Sequence, residues 1–125
     1  MFNYTQYWDD IAAQRREALG AYFADDALIE WPCTGERFNV HDFIVANCEY
    51  PGSWRGEVLR VLEAGTETVT VVRISSTESD YSCHVTSFFT FKDGKIQTLT
   101  EYYADDGPIP DWRQQLRLGD KSSGH

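Results

Sequence analysis

The sequence predicts an α+β domain in which helices precede an antiparallel sheet. Apolar residues recur at helical spacing over residues 4–23 and 40–48, whereas the chain from residue 54 onward consists of long β segments. The connections at residues 65–66, 78–80 and 93–94 are too short for parallel crossovers. An antiparallel meander is therefore expected, with helices on one face of a curved sheet and a conical cavity between the layers.

The first helix is predicted from its aromatic stripe, which includes Tyr7, Trp8 and Tyr22. Asn3 with Gln6 three residues later forms a capping box, and residues 24–26 close the segment. An aromatic stripe of this kind is typical of core packing, although single rings could also contact a ligand.

Two short strands and a second helix are expected next. Residues 27–31 favour a strand that Pro32 stops, because proline cannot donate to a β ladder. Residues 36–38 favour a second strand, and Asn39 caps a helix over residues 40–48. Residues 50–52 end that helix.

The last hairpin gives the clearest pattern in the chain. Residues 81–91 and 96–105 alternate with period two, and Asp93-Gly94 supplies the left-handed positions of a tight turn. Successive side chains of a strand point to opposite faces, so Leu99, Glu101 and Tyr103 share one face. If that face is buried, the Glu101 carboxylate is either paired or chemically useful.

Length and net charge limit the number of domains and the classes of binding partner that this sequence can have. A chain of 125 residues fits one domain, assigned to residues 1–116, followed by a flexible tail over residues 117–125. The net charge of −9, with scattered basic residues, argues against nucleic-acid and anionic-membrane binding and suits neutral, cationic or apolar partners. Without a long apolar run or a signal-peptide pattern, the expected location is cytoplasmic.

Neither a metal nor another cofactor is predicted. The three cysteines have no metal-ligand spacing, no cluster of His, Asp and Glu indicates a metal, and no glycine-rich phosphate loop is present. The four Trp, seven Tyr and seven Phe indicate either a core of large rings or an aromatic-lined cavity, and composition does not separate these two.

The order of several short motifs resembles the nuclear transport factor 2-like superfamily, and within it the SnoaL-like group. The resemblance rests on the following segments: Tyr22-Phe23-Ala24-Asp25-Asp26-Ala27, Glu30-Trp31-Pro32, Gly35-Glu36-Arg37, Tyr50-Pro51-Gly52, Phe91-Lys92-Asp93-Gly94-Lys95-Ile96 and Glu101-Tyr102-Tyr103. It implies a cystatin-like cone of curved antiparallel sheet, with N-terminal helices closing a central pocket. It also implies a homodimer formed through the outer sheet face.

The same resemblance offers two classes of function. The superfamily includes ketosteroid isomerases, polyketide cyclases, epoxide hydrolases and dehydratases, together with proteins that only bind ligands or partners. The expectation here is a small, largely apolar or aromatic molecule bound in the cone. Glu101 could then be an acid or base for isomerisation, cyclisation, dehydration or hydrolysis, and the alternative is a ligand-binding or dimeric interaction module without chemistry.

Glu101 stands where the limonene epoxide hydrolase branch carries an acidic residue before an aromatic pair. In an apolar cone, desolvation would raise its pKa and suit it to general acid or base catalysis. The alternative is a carboxylate paired with an arginine or a tyrosine hydroxyl that only shapes the cavity. Tyr103, on the same face, is the predicted second catalytic group, with filling of the cone as its alternative role.

The acidic residues that the epoxide hydrolases and the ketosteroid isomerases of this superfamily use for catalysis are missing from this sequence. The hydrolase pattern requires an Arg and an Asp two residues apart on an inner strand, whereas residues 68–72 read Thr-Val-Thr-Val-Val. The isomerase pattern places its base before a proline, where Trp31 stands, and its partner acid where Ser87 stands. Both departures favour the binding module, while a carboxylate retained among aromatic residues favours an enzyme.

The predicted ligand-binding residues line the cone from several segments. They are Trp31, Ser87, Leu99, Tyr7, Tyr22 and Trp54. His84 has the opposite strand parity from Ser87, so a surface or dimer-interface position is favoured over catalysis. Residues 106–113 are expected to wrap over a sheet edge or the cavity mouth.

Overall fold

A computed structural model describes residues 1–120 as a six-stranded curved sheet with short helices on its concave face. The elements are, in chain order, α1 (Tyr4–Ala12), α2 (Arg16–Leu19), a 3-10 turn (Gly20–Tyr22), β1 (Phe23–Trp31), β2 (Glu36–Phe38), α3 (Val40–Glu49), β3 (Trp54–Ala64), β4 (Glu67–Ser76), β5 (Ser82–Lys92), β6 (Lys95–Asp105) and α4 (Asp111–Gln114). The α+β class predicted from sequence is confirmed.

The four C-terminal strands form the predicted antiparallel meander, in the order β6-β5-β4-β3. Asp93 and Gly94 turn the last hairpin with φ of 53° and 80°. The sheet as a whole is mixed, because β1 lies parallel to β6 and β2 then extends the edge. A wholly antiparallel sheet was therefore the wrong expectation. The long path from β1 to β6, through α3 and four strands, allows a parallel pairing that a tight turn forbids.

Irregular pairing curves the sheet. Register shifts lie between Phe23 and Leu28 in β1, between Val58 and Arg60 in β3, and between Thr90 and Phe91 in β5. A bulge bends its strand and increases the local twist. The helices α1 and α3 occupy the concave face, and the convex face has no helix from the described residues over it.

The predicted helix over residues 4–23 is broken in two places. Asn3 caps α1 as expected by accepting from the Gln6 backbone N–H, but α1 ends at Ala12 and Gln14 adopts a left-handed φ of 56°. The Gln14 side-chain amide donates to the carbonyls of Asn47 and Tyr50, each at 2.8 Å. These long-range bonds replace helix continuation, and residues 24–26 lie inside β1 instead of closing a helix.

One end of the cone is filled by the protein's own side chains. Six rings pack there with centroid distances between 4.8 and 6.3 Å, and we call them the ring cluster: Phe2, Tyr4, Tyr7, Tyr22, Phe89 and Phe91. Tyr7 and Phe89 are completely buried. The core interpretation of the aromatic stripe is therefore correct for Tyr7 and Tyr22.

The C-terminal segment does not cover the cone. Residues 107–120 are all exposed, and Trp112 keeps 64% of its surface accessible. Of the two expected positions for residues 106–113, the one at the cavity mouth is not met, since none of them lines the cavity described below, and the one at the sheet edge stays a prediction. The domain boundary at residue 116 stays a prediction, and residues 121–125 of the predicted tail lie outside the described residues. Within residues 1–120, no helix is long and apolar enough to cross a bilayer.

Candidate functional site

The Glu101 carboxylate lies in the interior of the cone. Strand β6 places it on the concave face with Leu99, and β5 places Ser87 directly opposite. Glu101 keeps only 2% of its surface accessible, and Ser87 and Leu99 keep none. The alternation of the last hairpin predicted that Leu99 and Glu101 share a face, and the structure shows that both are buried.

Three side-chain donors from three strands hold this carboxylate. Ser87 Oγ donates to Oε2 at 2.7 Å. Trp31 Nε1 and Tyr103 OH both donate to Oε1, at 3.1 and 3.4 Å. Within residues 1–120 no basic side chain forms an ion pair with Glu101, so only neutral donors satisfy it.

Burial controls the protonation of this group. Desolvation raises the pKa of Glu101, and the hydrogen bonds from Ser87, Trp31 and Tyr103 offset only part of that rise. Burial and the Glu101 charge likewise raise the pKa of Tyr103 and of Tyr7. The Tyr7 hydroxyl is buried without a hydrogen-bond partner among the described residues. Glu101 is thus a carboxylate poised to hold a proton at a higher pH than an exposed one.

A cavity of about 280 Å³ occupies the end of the cone opposite the ring cluster. Its volume is close to the lower limit of about 300 Å³ for small-molecule pockets. We call it the aromatic cavity, because six of its thirteen lining residues are Trp or Tyr. The lining residues are Trp8, Ile11, Ala12, Gln14, Trp31, Ala46, Asn47, Tyr50, Trp54, Ile74, Tyr81, Cys83 and Tyr103.

Glu101 lies behind the wall of the aromatic cavity. Trp31 and Tyr103 line the cavity and also donate to Glu101, while Glu101 itself is not a lining residue. Their rings contact each other edge to face at 5.7 Å. A molecule in the cavity would therefore touch these two rings, and the carboxylate would act on it through them.

The structure brings together only part of the predicted site. Trp31, Trp54 and Tyr103 line the aromatic cavity. The other four predicted ligand-binding residues lie elsewhere: Ser87 bonds to Glu101, Leu99 is in the core, Tyr7 is in the ring cluster, and Tyr22 donates to Asp10 at 2.6 Å. The alternation of side chains along a strand shows which face is buried, but it does not distinguish the end of the cone that the ring cluster fills from the end that contains the aromatic cavity.

Several lining residues were not predicted as ligand contacts. Trp8 was expected mainly as a core residue, with ligand contact as its alternative role, whereas Ile11 and Ala12 follow the same helical spacing and were assigned to the core. Tyr50 and Tyr81 flank strand ends, where periodicity gives no signal. Asn47 lies on α3, and only the packing of α3 beside α1 brings it to the cavity.

His84 is on the convex face, as its parity predicts. Its Nδ1 lies 2.5 Å from Asp106 Oδ1, and Asp106 also accepts from Ser82 at 2.6 Å. These bonds and the charges of His84 and Arg73 lower the pKa of Asp106 against the opposing effect of its burial. Among residues 1–120, no three His, Cys, Asp or Glu side chains are arranged to hold a metal ion.

Comparison with known proteins identifies the family. The sequence profile of the SnoaL-like domain matches residues 4–99, more than half of the chain. The chain belongs to the SnoaL-like family. No curated protein matches this SnoaL-like chain.

Solved structures share the fold of this SnoaL-like protein. A proposed ketosteroid isomerase from Kribbella flavida DSM 17836 is 26% identical, with a TM-score of 0.77 over 95% of this chain and 87% of its own. An NTF2-like protein of unknown function from Burkholderia xenovorans LB400 is 26% identical, with a TM-score of 0.73 over 94% and 91%. A proposed polyketide cyclase from Sinorhizobium meliloti is also 26% identical, with a TM-score of 0.62 over 76% and 88%.

The raised pKa of Glu101 has a measurable effect on stability. Between the unfolded value of about 4.3 and the higher folded value, the folded protein binds the extra proton. Compared with Glu101→Gln, the wild-type free energy of unfolding should fall as pH rises across this interval. The expected fall is about 1.4 kcal/mol per unit of pKa difference.

Urea unfolding of both proteins at a series of pH values from about 4 to 8 measures this difference. Glu57→Gln, at a residue that does not line the aromatic cavity, corrects for the general effect of removing a carboxylate. A stability difference that stays flat or rises with pH would contradict a raised pKa.

Proposed function

We propose that this SnoaL-like protein binds a small, largely apolar molecule in the aromatic cavity. The observation that carries the proposal is the cavity wall, where Trp and Tyr rings are joined by Ile and Ala and no charged side chain contributes. Apolar pockets with a few polar groups are typical small-molecule sites. In this chain the polar groups are the amides of Gln14 and Asn47 and the thiol of Cys83.

Glu101 fits this function as a positioning residue. Two of its three hydrogen bonds fix Trp31 and Tyr103, which form one wall of the aromatic cavity. Removing a buried partner leaves the others unsatisfied, at a cost of about 1–3 kcal/mol each. The carboxylate therefore supports a preformed wall, which lowers the cost of ordering the site when a ligand binds.

Filling the aromatic cavity should abolish binding. Ala46 lines the cavity from α3, so Ala46→Phe puts a ring into the space that a ligand needs. N-phenyl-1-naphthylamine, a neutral fluorescent probe, should bind the wild type and lose at least about tenfold in affinity for the variant, equal to about 1.4 kcal/mol. Fluorescence titration measures both affinities.

Ala64→Phe is the matched control, because Ala64 is exposed at the end of β3 and does not line the cavity. This variant should bind the probe like the wild type. Equal binding to all three proteins, or no binding to the wild type, would contradict the proposed site.

Acid or base catalysis is the second candidate, and the pKa of Glu101 is the observation that favours it. Burial raises this pKa toward neutrality, and the Tyr103 hydroxyl bonds to Glu101 from a residue that lines the cavity. In this mechanism Glu101 starts in its protonated form and passes its proton to Tyr103 as the Tyr103 hydroxyl gives its own proton to a ligand oxygen. Glu101 is left as a carboxylate, and the proton that the ligand releases as it forms product restores the acid. Isomerisation, cyclisation, dehydration and hydrolysis can all use such a step.

A turnover assay separates the two candidates. Small epoxides and β,γ-unsaturated ketones are incubated with the protein and followed by NMR. If catalysis uses Glu101, Glu101→Gln should lower kcat by about 10²–10⁴-fold and Tyr103→Phe should also slow the reaction. A Glu101→Gln variant that turns over at the wild-type rate would exclude this role for the carboxylate.

We also propose a homodimer through the convex sheet face. Strand pairing places apolar and threonine side chains together on this face, among them Val69, Val71, Phe88, Thr86 and Tyr102. Phe88 and Tyr102 contact each other edge to face at 6.0 Å, and Tyr102 keeps 44% of its surface accessible. An apolar sheet face of this kind would be covered by the same face of a second copy. The cytoplasmic location stays a prediction.

Sedimentation velocity tests the dimer. The wild type should sediment as a dimer, and Tyr102→Glu should shift it to the monomer, because it places two like charges in a symmetric interface. Trp112→Glu is the control, since Trp112 is exposed on the short helix α4 and does not belong to any strand of the sheet. A monomeric wild type, or dissociation by the control alone, would contradict this interface.

A further inference from the structure

Most rings of the aromatic cavity use their polar groups in hydrogen bonds to the protein itself. Five of the six donate to acceptors outside the cavity lining: Trp8 to Thr70 at 3.2 Å, Trp31 to Glu101 at 3.1 Å, Trp54 to the Pro51 carbonyl at 3.1 Å, Tyr81 to Asp105 at 2.5 Å, and Tyr103 to Glu101 at 3.4 Å. These N–H and O–H groups are already used. The rings therefore offer a ligand their carbon surfaces and few donors, which disfavours anions and strong acceptors.

Two half-buried side-chain amides in the cavity lining, Gln14 and Asn47, also donate hydrogen bonds to the protein itself. The Gln14 side-chain N–H groups donate to the carbonyls of Asn47 and Tyr50, and the Asn47 side-chain N–H donates to the Ile11 carbonyl at 3.0 Å. Three of their four N–H donors are thus committed to the backbone, and both side-chain oxygens remain as polar atoms. Oxygen atoms are acceptors, so they too favour a positively polarised ligand over a negative one.

Three of the rings that line the cavity donate a hydrogen bond to a carboxylate. Trp31 and Tyr103 donate to Glu101, and Tyr81 donates to Asp105. A hydrogen bond to a carboxylate polarises the donor, so electron density moves from the N–H or O–H group into the ring. The face of an aromatic ring is already negative, and this polarisation makes it a better partner for a cation.

The charge distribution around the cavity agrees with this. The lining contains no Lys or Arg, and the whole chain carries a net charge of −9. Besides burial, the Asp105 and Asp106 carboxylates raise the pKa of the Cys83 thiol in the cavity wall. No positive side chain in the lining therefore opposes a cationic ligand, and the carboxylates nearest to Cys83 favour one.

We infer that the aromatic cavity selects a small cation whose charge is covered by alkyl groups, such as a tertiary or quaternary ammonium. This inference rests on the proposed binding function and names its ligand class. Aromatic rings are the typical partners of quaternary ammonium groups, because such a group has a weak hydration shell and needs no hydrogen-bond acceptor. A primary ammonium or a metal ion would instead need the carboxylate ligands that this wall lacks.

A pair of isosteric probes tests the charge alone. Choline and 3,3-dimethylbutan-1-ol have the same shape, and they differ in the cationic nitrogen that replaces a neutral carbon. Isothermal titration calorimetry on the full-length wild-type protein should show choline binding at least about tenfold more tightly than the alcohol. Equal binding, or tighter binding of the alcohol, would overturn the inference and leave the proposed neutral site intact.

Two variants show whether the rings produce this preference. Trp54→Leu keeps an apolar wall but removes one ring from the cavity, so it should weaken choline binding severalfold and change binding of the alcohol less. Trp112→Leu removes an exposed ring outside the cavity and should leave both affinities unchanged. A Trp54→Leu variant that weakens both probes equally would count against a cation–π site. Circular dichroism checks that each variant is folded.

Failure of the inference and failure of the proposed function give different results. If N-phenyl-1-naphthylamine binds the cavity and choline does not, the ligand class is wrong and the binding function stands. If neither this probe nor choline nor the alcohol binds, the proposed function fails and the inference fails with it.

Discussion

The hydrogen-bonded carboxylate of Glu101 is the interaction on which the interior of this protein depends. It joins β1, β5 and β6 through donors from Trp31, Ser87 and Tyr103 at the middle of the concave face. An ionised carboxylate buried without partners would be very costly, so these three donors are a condition for placing it there. Because none of the donors is charged, the desolvation of Glu101 is only partly offset, and the direction of its pKa shift follows.

The Glu101 carboxylate lies between the filled end of the cone and the end that contains the aromatic cavity. On one side, the ring cluster fills the space between α1 and the sheet, with Tyr7 and Phe89 completely buried. On the other side, Trp31 and Tyr103 separate Glu101 from the aromatic cavity. The same type of side chain therefore has two positions, packed in the core at one end and lining a cavity at the other.

Membership of the SnoaL-like family does not decide whether the protein only binds a ligand or also catalyses a reaction. Solved structures with 26% identity include a proposed ketosteroid isomerase and a proposed polyketide cyclase, and one fold carries many functions. Trp31 and Ser87 stand where the isomerase pattern would place its acids, and in this protein both donate to Glu101 instead. The buried acid of this protein is thus held by neutral donors at both of these positions.

The sequence by itself determined the local structure and the identity of the central residue. The Asp93-Gly94 turn, the Asn3 and Asn39 caps and the meander follow from propensities and short-range hydrogen bonds, and alternation in β6 placed Glu101 on the buried face. Family resemblance added the cone. These features depend on residues close in sequence, so their patterns can be read without a structure.

Only the tertiary structure decided which end of the cone stays open. Gln14 breaks the first helix because it bonds to carbonyls 33 and 36 residues away, and this places Trp8 and Ile11 against the cavity. The parallel pairing of β1 with β6 brings Trp31 to Glu101 across 70 residues. Tyr7 and Trp8 are neighbours with similar patterns, yet one fills the core and the other lines the cavity. Long-range packing determines which ring lines the cavity, because the local sequence spacing is the same for a ring that fills the core and for a ring that lines a cavity.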